Sequence, residues 1–130
     1  MIDVRDDHKL DVQAFARLRE RCAFGVKPPQ FLAALIAGSR WIAHAYDPPA
    51  DDRLVGFARA ISDGVATAYL SSVMVDPDYR RRGVGRAMVQ RILQGRDDIK
   101  FVSHSNQDAT AFYAAIGFSP ITDMMTRDRR

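Results

Sequence analysis

Hydrophobic and polar positions along this chain follow two different periods, and the places where the period changes mark out its elements. Between residues 9 and 23, Leu10, Ala14, Phe15, Leu18 and Cys22 recur at helical spacing while Arg17, Glu20 and Arg21 take other faces, which predicts an amphipathic helix. Pro28-Pro29 then breaks the chain and opens a second helix over residues 30–37, ended by Gly38. Runs at 41–46, 54–61 and 65–75 read as strands; turn-rich Asp47-Pro48-Pro49-Ala50-Asp51-Asp52 and Ser62-Asp63-Gly64 separate them, the pattern of an antiparallel meander. A short strand at 2–5 precedes the first helix. Past Gly83 the period is helical again: Val84, Met88, Val89, Ile92 and Leu93 form one stripe, with Arg86, Gln90, Arg91 and Gln94 elsewhere and Gly95 placed to end the helix.

Residues 99–104 predict a further strand, and Ser105 with Asp108 three positions on resembles a helix-starting cap. The last helix is expected to bury Ala109, Phe112 and Ile116 and to close at Gly117. Residues 119–130 leave room for one more strand or a short hairpin, so the sheet is expected to end abbreviated there or to be completed by a partner chain, as in a homodimer.

Composition bounds this picture without changing it. A chain of 130 residues, 47% hydrophobic and 27% charged, is expected to fold as one domain spanning 1–130 with a core of its own. A lone cysteine, Cys22, excludes an internal disulfide, and the first residues carry no basic-then-apolar leader, so a reducing, cytoplasmic setting is expected. The apolar run at 31–37 falls far short of the roughly 20 residues a membrane span needs, so no membrane association is expected. The net charge of +3 sits partly in Arg127, Arg129 and Arg130 and partly in one turn, and no zinc-finger spacing or RNA-recognition signature accompanies it. Nucleic acid is not the expected partner.

That turn carries the chemistry. Val73-Met74-Val75-Asp76-Pro77-Asp78-Tyr79-Arg80-Arg81-Arg82-Gly83-Val84-Gly85-Arg86 runs from a strand into a helix through glycines and arginines. A helix starting at Gly83 leaves its first N–H groups unpartnered at the positive end of its dipole, and glycines at 83 and 85 let an anion approach them. Arg80, Arg81, Arg82 and Arg86 supply forks for phosphate oxygens. A P-loop is excluded because Gly85 is followed by Arg86 and Ala87, and the dinucleotide fingerprint because its third glycine position is Met88.

Arg80, Gly83 and Gly85 instead form Arg-x-x-Gly-x-Gly after an apolar strand and Asp-Pro, which resembles the acetyl-coenzyme-A binding motif of the GNAT superfamily of N-acetyltransferases. Asn106-Gln107-Asp108-Ala109-Thr110-Ala111-Phe112-Tyr113-Ala114-Ala115-Ile116-Gly117-Phe118 is similar to the family's closing Asn-x-x-Ala-x-x-Phe-Tyr-x-x-x-Gly-Phe, and the resemblance covers roughly residues 54–118. It implies an α/β (α+β) fold: a mixed, mostly antiparallel central sheet with a splayed pair of parallel strands, flanked by about four helices. It further implies that acetyl-CoA lies in the splay, paired with the backbone of Met74 and Val75. The turn residues Arg80, Arg81, Arg82, Gly83, Val84, Gly85 and Arg86 would hold its pyrophosphate, Asn106 would contact it, and Tyr113 would protonate the leaving thiolate.

The implied reaction is direct acetyl transfer to a primary amine of a small molecule, without metal or covalent enzyme intermediate. Family members often carry a glutamate on the strand before the turn; here that strand reads Ala68-Tyr69-Leu70-Ser71-Ser72-Val73, so the general base is open among Ser71, Ser72, Asp76, His104 and Glu20. The same gap keeps an alternative in view, a catalytically idle acyl-CoA-binding module on this fold. His44 and His104 read as structural and Cys22 as a small buried hydrophobe. The resemblance puts the acceptor against the first two helices with their connection at 21–31 and against the C-terminal segment, and Phe24, Phe31, Trp41 and Tyr69 would make an apolar or aromatic-accepting wall suited to a small arylalkylamine or amino-acid amine.

Overall fold

The computed structural model describes residues 1–130, the side chain of Gln107 excepted. Strands β1 (Asp3–Arg5), β2 (Trp41–Asp47), β3 (Arg53–Ser62), β4 (Thr67–Val75) and β5 (Lys100–Ser103) form one sheet in chain order. The first four are antiparallel neighbours; β4 and β5 are parallel. Helices α1 (Val12–Arg21) and α2 (Pro29–Gly38) pack on one face, α3 (Val84–Leu93) and α4 (Thr110–Ala115) on the other. This is the mixed, mostly antiparallel architecture with one parallel pair that the family resemblance implies.

Each face has its own core. Under α1 and α2, Phe15, Leu18, Leu32 and Ile36 meet Ile42, Leu54, Phe57 and Met74, with the Phe15 and Phe57 rings 4.3 Å apart. On the other face, Val84, Met88, Val89 and Ile92 lie on a floor rich in alanine, Ala43, Ala45, Ala58 and Ala60. Small floor side chains leave room for the four larger ones of α3 at close packing.

Element ends depart from the apolar pattern where a cap intervenes. Asp11 accepts the Ala14 N–H at 3.1 Å, so α1 starts after it and not at residue 9, although Leu10 outside the helix is still buried. The cap expected from Ser105 is made instead by Asn106, whose Oδ1 accepts the Ala109 N–H at 3.0 Å. Residues 118–130 form no strand. The Phe118 N–H bonds back to the Tyr113 carbonyl at 3.0 Å, turning the chain over the end of α4, and Pro120 lacks the N–H a ladder would need.

The sheet opens where β5 stops. Parallel pairing runs from Thr67 opposite Lys100 to Leu70 opposite Ser103 and ends, while β4 continues five residues to Val75 beside β3. A bulge at Ser72, in the left-handed region at φ +54°, interrupts the β3–β4 ladder at the same point. Beyond Leu70, the far edge of β4 therefore presents backbone with no strand beside it.

Phe57 is fully buried, and its truncation in Phe57→Ala is expected to cost about 3–5 kcal/mol in urea unfolding. Val65→Ala, at a position 74% exposed, should stay within about 0.5 kcal/mol of the parent.

Candidate active site

A cavity of about 550 Å³ fills the opening between the end of β4, the N-terminus of α3, residues 106–113 and the end of α1. Met74, Val75, Arg80, Arg81, Gly83, Val84, Gly85, Arg86, Asn106 and Tyr113 all line it. Arg82 does not: its guanidinium lies over the Tyr79 ring, 5.0 Å from the centroid. Cys22, Phe24, Val73, Tyr79, Asp108, Ala109 and Phe112 complete the wall. The apolar sides and cationic rim suit a ligand with a hydrophobic arm and an anionic head.

The rim is held by one buried carboxylate. Asp76, 1% exposed, accepts from Arg21 Nε at 2.6 Å and Nη2 at 3.0 Å, from Arg53 Nη2 at 2.7 Å and from the Asp78 N–H at 2.9 Å. Its own N–H bonds to the Val55 carbonyl at 2.8 Å. Burial pulls its pKa upward, but the Arg21 and Asp78 hydrogen bonds and the charges of Arg53 and Arg21 outweigh this and hold it below the ordinary carboxylate value. The next turn, Pro77–Tyr79, is pinned from its other end, where the Tyr79 hydroxyl donates to Asp47 at the end of β2.

From this anchor the chain passes through two left-handed residues, Arg81 at φ +64° and Gly83 at φ +79°, before α3 begins. A side chain at 83 would be strained; at 81 the strain is accepted, and that residue faces the cavity. A Cβ at Gly85 would lie 3.3 Å from the Phe112 ring, so glycine there lets α4 close against the start of α3. The Ala87 N–H is bonded to Gly83; the N–H groups of the preceding turn have no carbonyl four residues back inside the helix to meet.

A strand, a glycine- and arginine-bearing turn and a helix start beside a splayed parallel pair reproduce the expected arrangement. The model of the Acetyltransferase (GNAT) family matches residues 12–118. The chain belongs to that family. The soybean (Glycine max) histone acetyltransferase TAP1 is 28% identical over 120 residues, 84% of this chain and 52% of that protein. The match covers about half of that protein and about 30% of two other curated relatives, the chloroplastic GCN5-related N-acetyltransferase 3 of Arabidopsis thaliana (31%) and the probable acetyltransferase TAP2 of Glycine max (28%). A GNAT-family structure from Xanthomonas campestris pv. campestris superimposes with a TM-score of 0.81 at 27% identity, covering 99% of this chain and 94% of that one. The aminoglycoside N-acetyltransferase AAC(6')-Iy, solved with CoA, shares the fold at a TM-score of 0.73 and 20% identity, covering 100% and 95%.

In this GNAT domain Tyr113 is 8% exposed, its ring edge-on to Phe112 at 5.1 Å and to Phe118 at 5.4 Å. Two aromatic neighbours hold the ring in place on the cavity wall. The Val75 carbonyl accepts from the Cys22 thiol at 3.3 Å and from Arg80 Nε at 3.2 Å. Burial chiefly pushes the Cys22 thiol up, against the pull of Arg80, so the cysteine acts as a weak donor tying α1 to β4.

The residues weighed as a general base fare unequally. Asp76 is committed to two arginines, while Ser71 and Ser72 face each other at 3.5 Å beside Arg59. Glu20 and His104 are exposed and outside the wall; Asp108 is the carboxylate that lines it. Of the expected aromatic wall, Phe24 lines the cavity, but Trp41 belongs to the opposite face, packed on Phe101 at 6.0 Å under the Arg96 guanidinium. His44 is structural: buried, bonded to Tyr46 at 2.7 Å and to the Asp7 carbonyl at 3.0 Å. Among the described residues no cluster suited to a metal occurs, and no helix is long and apolar enough to cross a membrane.

Asp76→Asn is expected to destabilise the fold by about 2–3 kcal/mol at pH 7, because two arginines lose their counter-charge. Since the folded pKa lies below the ordinary 3.8, the contribution is present in full above that value and lost as pH falls through the lower folded one. Urea midpoints of parent and variant should therefore differ at pH 7 and converge below about pH 4; a constant gap would contradict the anchoring role.

Proposed function

We propose that this domain transfers the acetyl group of acetyl-CoA directly to the primary amine of a small molecule. The observation that carries the reading is the continuity of one cavity from the helix start at Gly83, past the unpaired end of β4, to Tyr113. A single ligand lying along it would meet an anion site, a free strand edge and a hydroxyl donor in that order.

Arg80, Arg81, Arg86 and the first N–H groups of α3 suit the pyrophosphate. The edge of β4 suits the pantetheine amides as an added strand would. Val75 turns its carbonyl toward Cys22 and Arg80, and its N–H leaves the strand on that same side, where it can donate to the thioester carbonyl. The neutral amine nitrogen attacks the carbonyl carbon, the C–N bond forms and the C–S bond breaks. Tyr113 gives its proton to the departing sulfur, and the proton of the amine passes to water in the open mouth. Holding both reactants at attack distance supplies roughly 7–11 kcal/mol of barrier, the larger share, and a placed proton donor adds about 10²–10⁴-fold.

Phe24 on the cavity wall and Phe31 and Tyr69, both exposed on the α1–α2 side, favour an acceptor with an apolar or aromatic part over a polycation. The histone named for the soybean relative would bring positive charge toward a basic chain of net charge +3.

Calorimetric titration tests the ligand: the parent should bind acetyl-CoA saturably, and Gly85→Glu, which puts a carboxylate at the helix start against Phe112, should stay folded and bind none. Absence of binding by the parent would remove the co-substrate. Tyr113→Phe should lower kcat by about 10²–10⁴-fold at unchanged acetyl-CoA affinity, whereas an idle acyl-CoA-binding module would show no turnover in either form.

A further inference from the structure

Two parts of this chain are left without partners. Residues 119–130 belong to no helix or strand, make no backbone hydrogen bond among the described residues, and leave Ile121, Met124 and Met125 exposed at 52%, 54% and 93%. Three large apolar side chains in water within five residues mark a surface that something covers.

The other part is the outer edge of β5, the last strand of the sheet, which has β4 on its inner side only. The Lys100 N–H bonds inward to the Ala66 carbonyl at 2.9 Å, so by alternation the N–H and C=O groups of Phe101 and Ser103 face outward, and among the described residues no hydrogen bond reaches them. Both faces of the strand are apolar. Phe101 packs on the core under α3 and α4, whereas Val102 continues a cross-strand row with Ile61 and Tyr69 on the α1–α2 side, a row that belongs to neither core.

An open edge of this kind accepts another strand, and residues 121–126, Ile-Thr-Asp-Met-Met-Thr, suit it. All six carry a backbone N–H, with Pro120 just outside the pairing. Alternation puts Ile121 and Met125 on one face and Met124 on the other, so apolar side chains fall on both sides, as Phe101 and Val102 do in β5. Asp123 offers a counter-charge to Lys100, which among the described residues has no carboxylate within 4.0 Å. Within one chain the two parts do not meet: the Phe118 N–H bonds back to the Tyr113 carbonyl, and the chain beyond it stays exposed. We propose that a second copy of this chain occupies the edge, each copy laying residues 121–126 along β5 of the other, so that the reciprocal exchange closes both edges in a two-fold dimer. The added strand would stand beside Ser103, where β5 stops and the sheet opens, so each copy borders the other's site. The dimer stands independently of the acetyltransferase reading.

Sedimentation of the parent across a dilution series should give twice the 14.6 kDa chain mass at the concentrated end, and its urea midpoint should rise with protein concentration. Thr122→Pro and Asp123→Pro remove neighbouring N–H groups, one of which faces β5 in either register; at least one of them should weaken the dimer about 100-fold or more. Both positions are exposed and outside any element in the single chain, so the fold of the monomer should not change. In an equal mixture of isotope-labelled and unlabelled chains, filtered NOEs should join the Met124 or Met125 methyl of one copy to Phe101, Val102 or Tyr69 of the other. A monomer at every concentration overturns the proposal, whether residues 121–126 stay free, fold back on their own β5 or await a different protein. So does a dimer that neither proline weakens, or one whose chains show no such NOEs, because it is then held elsewhere.

Discussion

One buried carboxylate organises the site. Asp76 draws Arg21 from the end of α1 and Arg53 from the start of β3 onto the first residue after β4, so three separate elements converge on the turn before α3. It also caps that turn through the Asp78 N–H. Without its charge the two guanidinium groups would crowd each other, and the chain would have no fixed course into the left-handed steps at Arg81 and Gly83. The orientation of the α3 N-terminus, and with it the anion site, depends on a residue that itself stands outside the cavity wall.

A second constraint is what the sheet leaves undone. Strand β5 ends at Ser103, with the Ser103 hydroxyl on the Leu70 carbonyl at 3.2 Å, and the bulge at Ser72 interrupts β4 just beyond that point. Unpaired backbone at a sheet edge is a liability in most proteins because it can recruit another strand. Here Cys22 and Arg80 take the Val75 carbonyl, while Phe24 and Phe112 flank the gap, so the edge is enclosed enough to resist a foreign strand and open enough for a slender ligand. The strand interruption and the ligand groove are one feature.

The sequence made much of this visible because the decisive signals are local. Helical periodicity with Gly83 before it located α3, and Arg80, Gly83 and Gly85 fell together on one wall because they are consecutive on a single turn. Long-range ion pairs left no such mark. Nothing in the spacing of Arg21, Arg53 and Asp76 announces that they meet, since they lie 55 and 23 residues from the aspartate and the meeting depends on how the helix sits on the sheet. Arg82 was indistinguishable from its neighbours in the run, yet two left-handed residues around it rotate it onto Tyr79. Trp41 misled for a related reason: alternation along β2 puts Trp41, Ala43 and Ala45 on one face and Ile42 and Tyr46 on the other, but which helices cover which face is a tertiary matter, and Trp41 falls on the α3–α4 side.

Partner choice among the arginines extends the logic from fold to chemistry. Where an arginine closes a tertiary contact, an aspartate meets it, as at Arg21, Arg53 and Arg91. The arginines that line the cavity, Arg80, Arg81 and Arg86, have no such aspartate. One cationic rim at the start of α3, with apolar walls beyond it, would hold an anionic ligand by its charged end and leave its uncharged part lying toward Tyr113. Orientation would then come from charges distant from the bond being made. That suits a reaction whose barrier is lowered mostly by positioning, and whose strand lacks the acid that would otherwise take the proton of the amine.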